Sequence, residues 1–274
     1  MTDMTQLTFI IRSAGDLATG VALRLYRSGF RRIIMLEVEH PLAVRRRVAF
    51  SEAVWLGENT VEGVTARKVD ASRIKESWSR GELPIVVDPH GKTIRSVKPD
   101  VVVDAIMAKR NLGTTMNDAP LVIALGPGFN AGEDAHYVIE TCRGHHLGRV
   151  IRNGAALPNT KVPGTIGGYA IERLLRAPVK GVFKTGHDIG DRVSKGDAVG
   201  AVDGEPVKAA VSGVLRGLLR TGTPAPKGLK LGDIDPRDQV EFCDTASDKA
   251  IAIGGGVLEA VLERYNRAQA RQAY

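Results

Sequence analysis

The sequence predicts an α/β fold: a Rossmann-like, mostly parallel sheet, then a small all-β module and a C-terminal helix. Three observations carry this. Short continuous apolar runs alternate with stretches of helical spacing, as expected of strands covered on both faces. The first run ends in a glycine turn that opens a helix. Beyond about residue 178 the texture shifts to Gly, Val and Lys with turn residues at close intervals.

Residues 7–11 read as the first buried strand. Leu17, Val21, Leu23, Leu25 and Tyr26 follow at helical spacing, and Gly29 stops that helix. A second apolar run at 33–36 ends at Glu37, and further strand-like runs occupy 83–87, 101–103 and 121–125. From 178 to about 235, Gly186, Gly190, Gly196, Gly200, Gly204 and Gly213 punctuate short strands. Residues 247–271 look helical, with Gly254-Gly255-Gly256 expected to interrupt the helix. The expected organisation is an α/β domain at 1–177, a β module at 178–237, and a helical segment at 238–274 packing back on the α/β domain.

With 43% hydrophobic and 25% charged residues over 274 positions, wholesale disorder is excluded and about two domains are expected. Lys plus Arg outnumber Asp plus Glu by 38 to 31, and the net charge of +7 favours anionic partners. Aromatic residues at 5% leave few stacking platforms, which argues against nucleic acid. Cys142 and Cys243 do not make a disulfide framework. A polar start and the lack of any membrane-length apolar segment add to the expectation of a soluble, cytoplasmic protein. Homo-oligomerisation is left open.

Two places carry candidate chemistry. In the first, Ser13-x-Gly15-x-x-Ala18 fits a dinucleotide-binding turn, with serine in place of the first glycine. Gly15, Asp16, Thr19 and Gly20 are the candidate binding residues there, Asp16 being alternatively a helix cap. Glu37 lies 22 positions after Gly15, where an acid can accept from a ribose hydroxyl. The adjacent Arg45-Arg46-Arg47 run is either a solvated face or a phosphate clamp that aims at most two guanidiniums at one ligand. In the second place, Gly126, Gly128, Phe129 and Asn130 form a glycine-rich loop after a buried strand, suited to an anion-binding nest. Shortly after it come Cys142, Arg143 and His145: a thiol, an anion-binding fork, and a proton donor or metal ligand. Asp104, ending the 101–103 strand, joins Cys142 and His145 as a catalytic candidate. No metal set is expected, because two cysteines and no HExxH-type spacing do not make one.

Several motifs resemble the YqeB-like family of selenium-dependent molybdenum hydroxylase system proteins. They are the runs at 14–20, 41–46, 126–129 (Gly126-Pro127-Gly128-Phe129), 143–145 and 253–259. The resemblance covers essentially the whole chain. It implies an accessory role in maturing molybdenum hydroxylases that carry selenium, and a Rossmann-like part related in style to the XdhC maturation factors. Ser13 and Lys161 stand where that family is expected to have glycine. Residues 188–197 and 211–215 resemble the two halves of a lipoyl/biotinyl-type barrel-sandwich, whose hairpin tip here, Asp203-Gly204-Glu205, has no lysine to acylate.

The expected function is therefore that of a maturation factor binding the molybdenum cofactor, with a hydroxylase apoprotein as partner. Backbone N–H groups near Gly15 and Gly126–Gly128 would hold phosphates, Arg143 would neutralise charge, and His145 or Cys142 would contact metal or chalcogen. The alternatives are an NAD(P)-dependent oxidoreductase and a non-catalytic scaffold that docks a hydroxylase.

Overall fold

The computed structural model describes residues 4–160 and 162–272, so Lys161 lies outside the described residues. The chain divides into two compact units. Met1–Pro41, Ala49–Asn159 and Ala246–Tyr274 make the first, and Leu42–Val48 with Thr160–Thr245 make the second.

In the first unit, β1 (Thr8–Arg12) leads through a tight turn into α1 (Asp16–Arg27) and then β2 (Arg32–Glu37). A single turn, α2 (Ala53–Leu56), precedes the hairpin β3 (Glu58–Val61) and β4 (Val64–Lys68). Then come α3 (Ile74–Ser79), β5 (Leu83–Val87), α4 (Lys92–Val97), β6 (Val101–Asp104) and β7 (Leu121–Leu125). Short strands follow: β8 (Asn130–Ala131), β9 (Tyr137–Ile139), β10 (Val150–Ile151) and β11 (Gly154–Ala155). The long helix α5 (Asp248–Gln272) completes the unit.

The main sheet has nine strands in the order β10-β9-β7-β6-β1-β2-β5-β4-β3. It is parallel throughout its interior, and only the edge strands β10 and β3 pair antiparallel. The continuous apolar runs are explained by burial of both faces: Phe9, Ile10 and Ile11 are all fully buried. From β1 the chain moves to β2 on one side and later returns to β6 on the other. The order therefore reverses between β1 and β6, where open α/β sheets form a ligand crevice.

Helix α5 is continuous, which corrects the expected interruption at Gly254-Gly255-Gly256. The glycines serve close packing instead. A Cβ at Gly254 would stand 2.7 Å from the Gly20 carbonyl oxygen, and one at Gly20 would stand 2.6 Å from the Ala250 Cβ. On another side, a Cβ at Gly256 would come within 2.1 Å of the Gly148 oxygen. Tertiary packing thus outweighs the low helix propensity of glycine. Because Gly20 faces Ala250 while both Gly20 and Arg24 face Gly254, α1 and α5 run parallel, with both N-termini at the carboxyl edge of the sheet.

The second unit holds β12 (Leu174–Arg176), β13 (Gly181–Lys184), β14 (Arg192–Val193) and β15 (Ala198–Val202). It also holds β16 (Glu205–Lys208), β17 (Gly213–Leu218), β18 (Thr223–Ala225) and β19 (Lys230–Asp235). They form two four-stranded antiparallel sheets, β12-β19-β17-β14 and β16-β15-β13-β18, around a core that includes Phe183, Val199, Leu215, Leu218 and Ile234. The three adjacent arginines hold segment 42–48 in this unit. Buried Arg45 donates to the carbonyls of Phe242 and Thr245, Arg46 to Leu218 and Asp188, and Arg47 lies 3.5 Å from Asp244. The β15–β16 hairpin turns on Asp203 and Gly204, both at positive φ, a type I′ pairing. No helix among the described residues is long and apolar enough to cross a membrane.

Candidate functional site

The turn after β1 is built around a strained serine and a buried carboxylate. Ser13 sits at φ +90°, a conformation that favours glycine. Its N–H donates to the Leu36 oxygen at 2.7 Å, and its hydroxyl accepts from the Gly15 N–H at 3.2 Å. Gly15 is the N-cap of α1, and Asp16 accepts from the Leu17 N–H at 2.9 Å, a first-turn contact. Ser13→Gly should be more stable than Ser13→Ala by about 1–2 kcal/mol. Both lose the hydroxyl, but only alanine keeps the unfavourable φ. Equal melting temperatures would contradict this.

Glu37, the expected ribose acceptor, supports the turn itself. Its Oε2 accepts from the Ala14 N–H at 2.8 Å and the Ser13 hydroxyl at 3.4 Å, and its Oε1 accepts from the Val38 N–H at 2.8 Å. Burial pushes its carboxyl above the usual range, and these hydrogen bonds oppose that rise. Glu37→Gln should destabilise the fold by about 1–2 kcal/mol, because an amide satisfies only one of the two backbone donors. Urea unfolding measures this directly, and a neutral result would remove Glu37 from that role.

Thr19 and Gly20 face the interior. The Thr19 hydroxyl donates to the Ala14 oxygen and accepts from the Phe50 N–H, while Gly20 lies against Ala250. Asp104 is likewise engaged within the fold. Its Oδ2 accepts from the Thr114 hydroxyl at 2.6 Å and lies 3.4 Å from Arg12, which also donates to Thr114.

The glycine-rich loop packs closely on the loop after β6 and on Thr141, which follows β9. A Cβ at Gly128 would stand 2.6 Å from the Arg110 nitrogen, and one at Gly126 would stand 2.5 Å from the Thr141 hydroxyl oxygen. Phe129 is buried in the core, and the Asn130 N–H donates to Asp134 at 2.7 Å. Met107 and Lys109 are both at positive φ, so the backbone facing these glycines is itself strained.

Cys142 and Arg143 follow Thr141 directly. Buried Glu140 fixes this segment by accepting from the Cys142 N–H at 2.7 Å and the Leu157 N–H at 2.8 Å. Arg143 makes a two-pronged pair with Asp248 at 2.7 and 3.0 Å, at the first turn of α5. The next residue, Lys249, is half-buried and makes no hydrogen bond or ion pair with the described residues. Burial lowers its ammonium below the ordinary lysine value. The charges of Arg143 and Lys109 push the same way, while Asp16 and Cys142 oppose them. Three cations, a thiol and the two carboxylates of Asp16 and Asp248 thus meet at the carboxyl edge, beside the start of two parallel helices. His145 is exposed and lines a separate depression of about 450 Å³ with Arg149, Arg152 and Glu259.

No family model matches the chain. Compared with the uncharacterized protein YqeB of Escherichia coli (strain K12), it is 51% identical over 254 residues. Over that stretch the chain is a homologue of YqeB. The match takes in 92% of this chain and 47% of YqeB, so the chain spans about half the length of the curated relative it matches. Among solved structures, TcdA (CsdL) aligns with 97% of this chain and 89% of its own, at TM-score 0.35 and 12% identity. An aspartoacylase family protein from Mesorhizobium loti covers 84% and 85%, at TM-score 0.27 and 13% identity. These two likenesses are too slight to bear on either fold or function.

Lys249 and Lys109 had no local signal in the sequence. Each becomes a candidate only when residues 16, 109, 142, 143 and 249 come together. The run at 253–259 lies just beyond Lys249, and its Gly254 packs against Gly20 of α1.

Proposed function

We propose that this chain is an accessory or maturation factor for selenium-dependent molybdenum hydroxylases. In this reading it belongs to the YqeB-like family, acts in the cytoplasm, and holds an anionic, nucleotide-like ligand, the molybdenum cofactor. The observation that carries the ligand is the half-buried Lys249, without an acceptor among the described residues, beside the Arg143–Asp248 pair at the carboxyl edge of the sheet, with Lys109 adding to the positive charge there. The pathway rests on the motif resemblance, which the identity to YqeB supports as to family.

The donor set suits such a ligand. Three cations against the two carboxylates of Asp16 and Asp248 leave a net positive charge beside two helix N-termini, which favours phosphate. Among the described residues no three His, Cys, Asp or Glu side chains gather as a metal set, so the pterin would keep its own metal. When bound, the cofactor supplies the redox-active molybdenum a hydroxylase needs. Lys249 and Lys109 bind phosphate, Asp248 orients Arg143 towards it, and Glu37 holds the Gly15 turn ready. Cys142 is the side chain placed for contact with a chalcogen.

The second unit is read as a barrel-sandwich of the lipoyl/biotinyl type that docks the hydroxylase apoprotein. Its hairpin tip, Asp203-Gly204, offers no lysine for acylation. The alternative of an NAD(P)-dependent oxidoreductase asks Glu37 to meet a ribose while it already accepts from Ala14 and Val38.

A thermal-shift series with the molybdenum cofactor, its cytosine dinucleotide form, NAD(H) and NADP(H) separates these readings. A ligand at 100 times its dissociation constant adds about 2.7 kcal/mol of stability. Stabilisation by the pterin forms alone is expected. Stabilisation by NAD(P) alone would favour the oxidoreductase, and a flat response would favour a scaffold without a small ligand.

A further inference from the structure

A separate cleft opens at the carboxyl ends of β5 and β4, which stand two and three strands away from β1 and its glycine turn. It measures about 590 Å³, within the range of small-molecule sites. One wall is Lys68-Val69-Asp70 at the end of β4. The other is Val87-Asp88, with His90 and Lys92 on the turn that leads from β5 into α4. Val69 and Val86, which also line it, belong to the buried core, so the cleft reaches down to apolar surface.

Most of the charge around the cleft is already engaged. Asp88 Oδ2 accepts from the Thr93 N–H at 2.6 Å. Burial would raise the Asp88 carboxyl, but the N–H groups of Thr93, Lys92 and His90 outweigh that and hold it below its ordinary value. The turn into α4 is thus filled by the protein's own carboxylate. Arg73 makes a two-pronged pair with Glu76 at 2.8 and 2.9 Å. Two amines are left, one from each wall. Lys68 donates to the Val54 carbonyl at 3.3 Å and keeps its other N–H groups, while exposed Lys92 makes no side-chain hydrogen bond or ion pair among the described residues. Against them stands one exposed carboxylate, Asp70, so the unengaged groups sum to a positive charge. A free guanidinium fork would suit a planar carboxylate, whereas ammoniums act as point charges and suit phosphate. The guanidinium here is taken by Glu76, and the ammoniums are the groups left over.

We propose that this cleft binds a phosphomonoester of a small organic molecule. The phosphate lies between Lys68 and Lys92, and the organic part lies against Val69, Val86 and Val87. The site shares no residue with the one around Lys249 and stands independently of it.

Phenyl phosphate serves as the probe, followed through the backbone amide NMR signals of the full chain. Saturable shifts are expected at residues 68–71 and 88–93, and because they are read residue by residue, binding near Lys249 is told apart. Lys68→Gln and Lys92→Gln should each weaken binding about five- to tenfold. Lys180→Gln, an exposed lysine of the second unit, should leave it unchanged. Inorganic phosphate should bind more weakly for want of the apolar part, and benzoate more weakly for want of the phosphate. Shifts spread over lysine-bearing surface in general, or a Lys68→Gln, Lys92→Gln double variant that binds as wild type does, would overturn the site. Benzoate binding as tightly as phenyl phosphate would overturn the assignment to phosphomonoesters.

Discussion

Gly256→Ala should destabilise the protein by about 2–4 kcal/mol, while Gly255→Ala, one position earlier, should stabilise it by about 0.5–1 kcal/mol. At Gly256 the new methyl would enter the space of the Gly148 carbonyl oxygen, 2.1 Å away, and the Ile139 side chain, 3.0 Å away. The Gly148 carbonyl cannot move without parting α5 from the 141–148 loop, and overpacking of this kind is costly. At Gly255 nothing lies within 4 Å, so the usual gain of replacing a helical glycine applies in full. Thermal and urea unfolding of the two variants should therefore move in opposite directions. Destabilisation by both would mean that the glycines act through helix flexibility rather than contact.

The second large effect is expected at Lys249. Lys249→Met should raise stability at pH 7 by about 1 kcal/mol, the lower end of the cost of burying an unmet donor. It should also weaken an anionic ligand roughly tenfold or more, as removal of a charged hydrogen bond does. The pH dependence fixes the sign. A lysine whose folded value is depressed disfavours folding while protonated, and that penalty fades as pH rises towards the unfolded lysine range. The stability gap between variant and wild type should therefore be widest near neutrality and shrink in alkali. A gap that widens with pH would contradict the burial of an unpaired ammonium. A residue that costs stability and improves binding is the pattern expected of a functional position.

Much of the first unit was legible because its signals are local. The runs that became β1, β2, β5, β6 and β7 are apolar on both faces, so no partner had to be known to read them. The glycine turn was legible for the same reason, and Ser13 at positive φ explains why a glycine is expected there. The continuity of α5 was not legible: glycine propensity is local, whereas the surfaces of Gly20 and Gly148 that reward it come from more than 100 positions away. Segment 42–48 was equally opaque, since the acceptors for Arg45 lie at Phe242 and Thr245. In the site, the residue types around 126–145 stood out as a cluster, but their division of labour did not. Asp104, Thr19 and Glu37 proved to be engaged within the fold, and Lys249 emerged only from the meeting of loops and helices.

Equilibrium dialysis of the full chain against molybdenum cofactor, with molybdenum counted by mass spectrometry, decides whether Lys249 holds an anion when wild type and Lys249→Met are compared. Saturable uptake by wild type is expected, with affinity that falls with rising salt, and at least about tenfold weaker uptake by a variant that melts higher. Equal uptake by the two proteins, or none by either, would contradict an anion site built on Lys249.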